Sequence, residues 1–152
     1  MMRILLCLTL VVLPFCVAMT DSAQPPASCP VTKPIRATPP KDPNADPFGS
    51  GPWYINANRS IWAGWDAVRM RAGGSGNKVL WIRPSGTDLN VSARRLGGLA
   101  GKFAASIPCC YPTGFQASGL HFTEAGCWEV TAKAGDARLM FITWVAPAES
   151  GQ

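Results

Sequence analysis

Two adjacent cysteines, Cys109 and Cys110, are the most unusual chemical feature of this sequence. In an oxidising compartment they can close a strained vicinal disulfide, or one can pair with Cys29 and the other with Cys127. As two thiolates at one place they can instead bind a soft metal such as Cu(I) and act as a metal or redox site. Further ligands would have to be His121 and Met140, which lie on separate predicted strands, so the metal signal is weak.

His121 is the only histidine of the chain. A hydrolase places such a residue beside a nucleophile and a carboxylate. Ser118 and Glu124 are close in sequence, but on an extended strand residues three positions away are about 10 Å distant. No glycine-rich phosphate loop, paired acid motif or zinc spacing occurs. We therefore expect a protein that is not an enzyme and holds no cofactor, with His121 facing solvent.

Tryptophan is frequent, with six residues in 152. Several lie near arginines in the middle of the chain, and such a pairing is typical of proteins that bind charged glycans. Tryptophan stacks on sugar rings, and arginine binds carboxylate or phosphate groups in a bidentate manner. The alternative is that these tryptophans fill the core while the arginine stems cover it. The candidate ligand-binding residues are Trp62, Trp65, Arg69, Arg71, Trp81 and Arg83.

Positive charge is concentrated in the same region. The formal net charge is +5, and residues 69–102 contain seven basic side chains and one acidic side chain. This bias favours an anionic partner, such as a cell-envelope polymer. A solvated basic face is the alternative. A protein partner stays open, as does the oligomeric state, and we expect no nucleic-acid partner.

The N-terminus predicts a secretory signal peptide over residues 1–18. Arg3 precedes an apolar run over residues 4–17, and small residues lie before the predicted cleavage point after Ala18. The run contains Pro14 and is shorter than the roughly 20 apolar residues that span a membrane. An uncleaved anchor or a lipoprotein acylated on Cys16 is the alternative. We expect a secreted, periplasmic or envelope protein with no stable membrane span after cleavage.

Residues 19–52 predict an extended segment ahead of the folded domain. Nine prolines lie between residues 24 and 52, and proline excludes a helix or a central strand there. Cys29 within this segment can attach it to the domain. After cleavage, four cysteines permit three disulfide connectivities, which the sequence leaves open.

From residue 53 to 147 the apolar residues recur with a period close to two, separated by glycine and proline turns. This pattern predicts an all-β antiparallel sandwich or small barrel of about seven strands. The strands are expected near 53–57, 61–70, 78–83, 88–95, 117–122, 126–133 and 137–146, followed by a tail over 148–152. The last strand is apolar on both faces, so we expect it to be central or covered. Trp128, Val130, Phe141 and Val145 should meet in one interior.

Three stretches near the C-terminus, 114–122, 126–131 and 135–141, read GFQASGLHF, GCWEVT and GDARLMF. Together with Cys29-Pro30-Val31-Thr32 they resemble a group of uncharacterised secreted bacterial proteins, and more loosely the closing hairpin of immunoglobulin-like domains. The resemblance implies an immunoglobulin-like sandwich and a Cys29–Cys127 disulfide, and it implies no reaction. The chain departs from that group at Cys109 and Cys110.

These observations lead to one main hypothesis and two alternatives. The main hypothesis is an exported, non-enzymatic sandwich that binds a partner at the cell envelope. The first alternative is a small metal-binding or redox protein that uses Cys109 and Cys110. The second is a secreted hydrolase inhibitor that inserts an exposed loop, such as 107–116, into its target.

Overall fold

The computed structural model describes residues 24–41, 50–109 and 111–148. The predicted signal peptide and residues 149–152 of the predicted tail lie outside these ranges. A single 3₁₀ turn, Asp66–Val68, is the helical element within them. The strands are β1 (Ile35–Ala37), β2 (Gly51–Ile55), β3 (Trp62–Trp65), β4 (Asn77–Ile82), β5 (Leu89–Leu96), β6 (Phe103–Ser106), β7 (Phe115–Phe122), β8 (Gly126–Ala134) and β9 (Ala137–Val145).

The strands form two antiparallel sheets that pack as a sandwich. The larger sheet has the order β1-β2-β3-β4-β7-β6, and the smaller has the order β5-β8-β9. Constant-type immunoglobulin domains have one sheet in the order A-B-E-D and another in the order C-F-G. Strands β3 to β9 follow the same order, and β1 and β2 extend the larger sheet beyond its first strand. The predicted immunoglobulin-like sandwich is therefore confirmed.

The main core lies between the two sheets. Trp128, Val130, Phe141 and Val145 from the smaller sheet pack in one buried cluster with Trp81 and other residues of the larger sheet. The Trp128 ring meets the Phe122 ring edge to face, with centroids 5.0 Å apart. Tyr54 stacks on Phe141 at 4.1 Å. The prediction that these four residues share one interior is confirmed.

A second apolar cluster covers the outer face of the larger sheet. It consists of Trp53, Trp62 and Leu80, and the two indoles meet edge to face at 6.0 Å. Trp53 lies so close to Gly64 that a Cβ there would be 2.5 Å from the ring. Strand β4 is consequently buried on both faces, whereas its alternating sequence predicts one buried face.

Two strands were not predicted, and one was predicted too long. Residues 61–70 form only β3, because the chain turns at Trp65 into the 3₁₀ turn. Strand β6 was missed because Phe103–Ser106 is short and contains three small residues. Strand β1 lies in the proline-rich segment, where an edge position allows nearby prolines since it pairs on one side only.

The proline-rich segment is attached to the domain by a disulfide between Cys29 and Cys127, which are 98 residues apart. This confirms the pairing that the resemblance implies. The alternative in which Cys109 and Cys110 pair with Cys29 and Cys127 is wrong, since those two sulfurs bond to each other. Cys109 is itself disulfide-bonded. Cys110 lies outside the described residues, so the predicted vicinal pair stays a prediction.

Strand β9 is an edge strand of the smaller sheet and not a central one. The attached segment covers part of its edge, which agrees with the second half of the prediction. Met140 nevertheless remains 53% exposed on the outer face. Within the described ranges, no helix has the length and apolar character needed to cross a bilayer.

Candidate functional site

Trp65 is a large aromatic residue held at the surface in an unusual backbone conformation. Its φ is 58° and its ψ is −124°, and the residue is 47% exposed. These angles are those of the first central position of a type II′ turn, which glycine normally occupies. A bulky L-residue there stores roughly 1–3 kcal/mol of strain, and such strain is concentrated at functional sites.

Lys78 lies against the Trp65 ring, and Asp66 is hydrogen-bonded to the Lys78 backbone. The Lys78 ammonium nitrogen lies 5.0 Å from the ring centroid, within the range of a cation–π interaction. The Lys78 backbone N–H donates to Asp66 Oδ2 at 2.8 Å. Pairing of Trp65 with Val79 across β3 and β4 brings Lys78 to this position. One ring, one cation and one carboxylate are thereby held together at the start of β4.

Arg69 and Arg71 are exposed and line a cleft of about 510 Å³. Asp66 and Asn77, the chain neighbours of Trp65 and Lys78, line the same cleft. We call Trp65, Arg69, Arg71 and Lys78 the basic aromatic surface.

A buried asparagine holds the backbone of Arg71 in place by hydrogen bonds. Asn77 is 6% exposed, and its Oδ1 accepts the Arg71 backbone N–H at 2.7 Å. Its Nδ2 donates to Arg71 O at 2.9 Å and to Leu120 O at 3.0 Å. This fixed backbone limits how far the Arg71 side chain can move from the cleft.

The remaining three candidate ligand-binding residues do not lie on this surface. Trp62 is 1% exposed in the outer cluster, and its Nε1 donates to Arg59 O at 2.7 Å. Trp81 is fully buried in the main core, where its Nε1 donates to Ser118 Oγ at 2.7 Å. Both are packing residues. The predicted aromatic and cationic face therefore reduces to Trp65, Arg69 and Arg71, with Lys78 added.

Arg83 is buried at the opposite end of β4. Its Nε donates to Gln116 Oε1 at 2.7 Å, and its Nη2 donates to Tyr111 O at 3.1 Å. Burial lowers the pKa of its guanidinium from the ordinary value, and the charge of Asp88 opposes that shift. Arginine stays protonated in proteins, so a buried positive charge stands here.

The same hydrogen bonds hold the loop between β6 and β7, which contains Cys109. Gln116 Nε2 donates to Pro108 O at 2.7 Å, so both sides of the loop are fixed to buried side chains. Pro108, Cys109 and Pro112 are exposed on it. This is the segment that the inhibitor alternative invokes.

The residues proposed as additional metal ligands do not converge. His121 lies on β7 of the larger sheet and Met140 on β9 of the smaller one. Over residues 24–41, 50–109 and 111–148, no three His, Cys, Asp or Glu side chains are grouped so that they could hold a metal ion.

His121 and Ser118 lie on opposite faces of β7. Ser118 points into the core and accepts from Trp81, while the His121 ring lies against Gly76 on the outer face. The two side chains cannot act as a nucleophile and base pair across the sheet.

Lys78 and Asp66 are the members of this region that the sequence did not single out. Lys78 stands before a buried strand and Asp66 follows Trp65, and neither belongs to a motif. Only the register of β3 on β4 brings Lys78 to the Trp65 ring. Comparison with protein-family models, with curated proteins and with solved structures yields no match to this chain.

Proposed function

We propose that this chain is an exported, non-enzymatic binding module that holds an anionic polymer or charged glycan of the cell envelope at its basic aromatic surface. The observation that carries the proposal is Trp65, a 47% exposed residue in a strained backbone conformation with the Lys78 ammonium 5.0 Å from its ring. Its chain neighbour Asp66 lines a cleft together with Arg69 and Arg71. A structural role for this ring would favour a buried position and a relaxed backbone. Glycine would fill the turn at a lower conformational cost.

The chemistry of the surface suits a sugar polymer that carries acidic groups. One face of an indole offers apolar area for a sugar ring, while Arg69 and Arg71 offer planar donors to carboxylate, sulfate or phosphate. Asp66 lies among these cations and repels a densely charged strand, which favours polymers whose anions are spaced by neutral rings.

Export agrees with the Cys29–Cys127 disulfide, because disulfides persist in oxidising compartments. The predicted signal peptide is the other support for a secreted, periplasmic or envelope location. Western blotting of fractionated cells tests the location, and a mature chain found only in the cytoplasm would contradict it.

The binding proposal is tested by calorimetric titration of the purified protein with hyaluronate, dextran sulfate and neutral dextran. We expect the two anionic polymers to bind and the neutral one not to. The R69A/R71A double variant should bind roughly tenfold more weakly, which corresponds to about 0.7 kcal/mol for each exposed cation. Affinity should also fall as salt rises from about 0.01 M to 0.15 M, since the Debye length contracts from about 30 Å to 8 Å.

A matched control removes two cations from a different surface. Lys133 and Arg138 are paired across β8 and β9 and are exposed on the outer face of the smaller sheet. K133A/R138A carries the same net charge as R69A/R71A, so it should retain the parent's affinity. Equal losses in both double variants would mean that net charge alone drives binding, and the site would be refuted.

A second candidate function is inhibition of a secreted hydrolase by the loop between β6 and β7. The observation that favours it is the fixation of this exposed loop by Arg83 and Gln116, because a preorganised loop loses little entropy on binding. Its test is titration of secreted proteases and glycosidases with the purified protein. The absence of stoichiometric inhibition would remove this candidate.

A further inference from the structure

Arg83 is a buried cation whose hydrogen-bonding capacity is only partly used. The residue is 4% exposed, and its three acceptors are Gln116 Oε1, Pro84 O and Tyr111 O. All three are neutral oxygens. A guanidinium carries five N–H donors, so two of them have no acceptor within the described part of the chain.

Among the residues that the structure describes, no carboxylate contacts this charge directly. Asp88 is the acidic residue whose field reaches Arg83, but among the described contacts it makes no hydrogen bond or ion pair with the guanidinium. Keeping a buried charge without a bonded counterion is costly, since neutral carbonyls replace only part of its hydration. An anion brought to the two unused donors would recover part of that cost.

Space for such an anion exists beside the guanidinium. Arg83 lines a cleft of about 490 Å³ between the β4–β5 and β6–β7 loops. Leu89, Ile107 and Pro108 contribute apolar walls, and Asp88 and Tyr111 contribute polar groups. The cleft is large enough for a small organic ligand, which typically occupies about 300–1,000 Å³.

We propose that this cleft binds a monocarboxylate carried on a small apolar body, with the carboxylate accepting from the two unused Arg83 N–H groups. The apolar walls accept the body of the ligand. Asp88 on the rim disfavours a doubly charged group such as phosphate, because repulsion grows with ligand charge. The C-terminal residue of a peptide has this chemistry.

This cleft is separate from the basic aromatic surface. Lys78 lies at the start of β4 and Arg83 follows its end, so five residues of extended chain, roughly 17 Å, separate them. The two sites can therefore fail or succeed independently.

The test follows the Arg83 Nε–Hε signal in ¹H–¹⁵N spectra of the purified protein during titration with N-acetylalanine. We expect a saturable shift with the carboxylate and none with the matched neutral probe, N-acetylalanine amide. D88N should tighten the affinity by about threefold or more, because the repelling charge is gone while the donors are retained. R69A/R71A should leave the titration unchanged.

Arg83 itself is a poor single probe, because it also fixes the β6–β7 loop and R83Q removes that contact whatever the ligand does. The D88N variant and the paired probes avoid this difficulty. No shift with the carboxylate, an equal shift with the amide, unchanged or weaker binding by D88N, or loss of binding in R69A/R71A would each overturn the proposal. In those cases Arg83 serves only to hold the loop.

Discussion

Thr32 and Ile142 form two hydrogen bonds with each other across 110 residues. The Thr32 N–H donates to Ile142 O at 2.9 Å, and the Ile142 N–H donates to Thr32 Oγ1 at 2.9 Å. Both Ile142 groups face away from β8, so the N-terminal segment occupies the free edge of β9. Further along this edge, Asn56 Nδ2 donates to Arg138 O at 3.1 Å. An apolar edge strand that would invite aggregation is thereby protected.

The Cys29–Cys127 disulfide should be a major contributor to stability, because it closes a loop of nearly a hundred residues in the unfolded chain. We expect the C29S/C127S double variant to lose about 2–4 kcal/mol of unfolding free energy in urea titrations. T32V, which removes one hydrogen bond on the same segment, is the control and should lose about 1 kcal/mol. A double variant no less stable than T32V would show that the disulfide constrains the unfolded chain little.

Replacing Trp65 should separate backbone strain from the role of its ring. W65G should be more stable than W65A by about 1–2 kcal/mol, because glycine adopts the positive φ without a Cβ clash. Both variants should lose binding to the anionic polymers equally. Urea titration and calorimetry measure the two effects.

The control for Trp65 is M140A. Met140 is also an exposed apolar residue, but it lies on the smaller sheet. M140A should leave polymer binding unchanged. Equal stability of W65G and W65A would contradict the strain, and retained binding by both would contradict the role of the ring.

Gly64 is required by the close approach of Trp53. A Cβ at this position would lie 2.5 Å from one ring carbon and 2.6 Å from the next. We expect G64A to cost about 1–3 kcal/mol, as overpacking does elsewhere. G119A is the matched strand control, since its Cβ would meet His121 and Ser106 at 3.3 and 3.7 Å, and it should cost far less. Similar losses in the two variants would indicate that the Trp53 ring moves aside freely.

Ionisation of Tyr54 should lower the free energy of unfolding at alkaline pH. Burial raises the pKa of its phenol above the ordinary value, while a hydrogen bond with Thr143 works in the opposite direction. The unfolded chain then ionises first, near pH 10. This contribution to stability is complete below that pH and is lost as the pH rises through the folded pKa. Urea midpoints between about pH 8 and 11 should fall less steeply for Y54F than for the parent, and parallel curves would contradict the assignment.

The strands predicted correctly from the sequence are those whose own core-facing residues are strongly apolar. Strands β8 and β9 have long alternating patterns and a glycine turn, so their positions were clear from local sequence. Strand β6 has no such signal, and it exists because β7 offers it a pairing edge. The turn at Trp65 could not be predicted from the sequence either, because a bulky residue rarely adopts a positive φ.

The ligand-binding role of the candidate residues stays a prediction. Arg69 and Arg71 line one cleft and Trp65 is exposed, whereas Trp62, Trp81 and Arg83 are buried. Parity along a strand tells which residues share a face, but it does not tell whether that face is covered. Trp53 and the neighbouring side chains cover the outer face at Trp62, and the loop after β6 covers Arg83.

By itself, the sequence determined the all-β class, the two-residue period of the main core and the positions of the closing hairpin, because these depend on local alternation of apolar and polar side chains. Only the tertiary structure decided which tryptophan is exposed, where Lys78 lies relative to it, and how Arg83 is enclosed. Those features depend on strand register and on segments distant in sequence packing over a face, and local sequence does not record either.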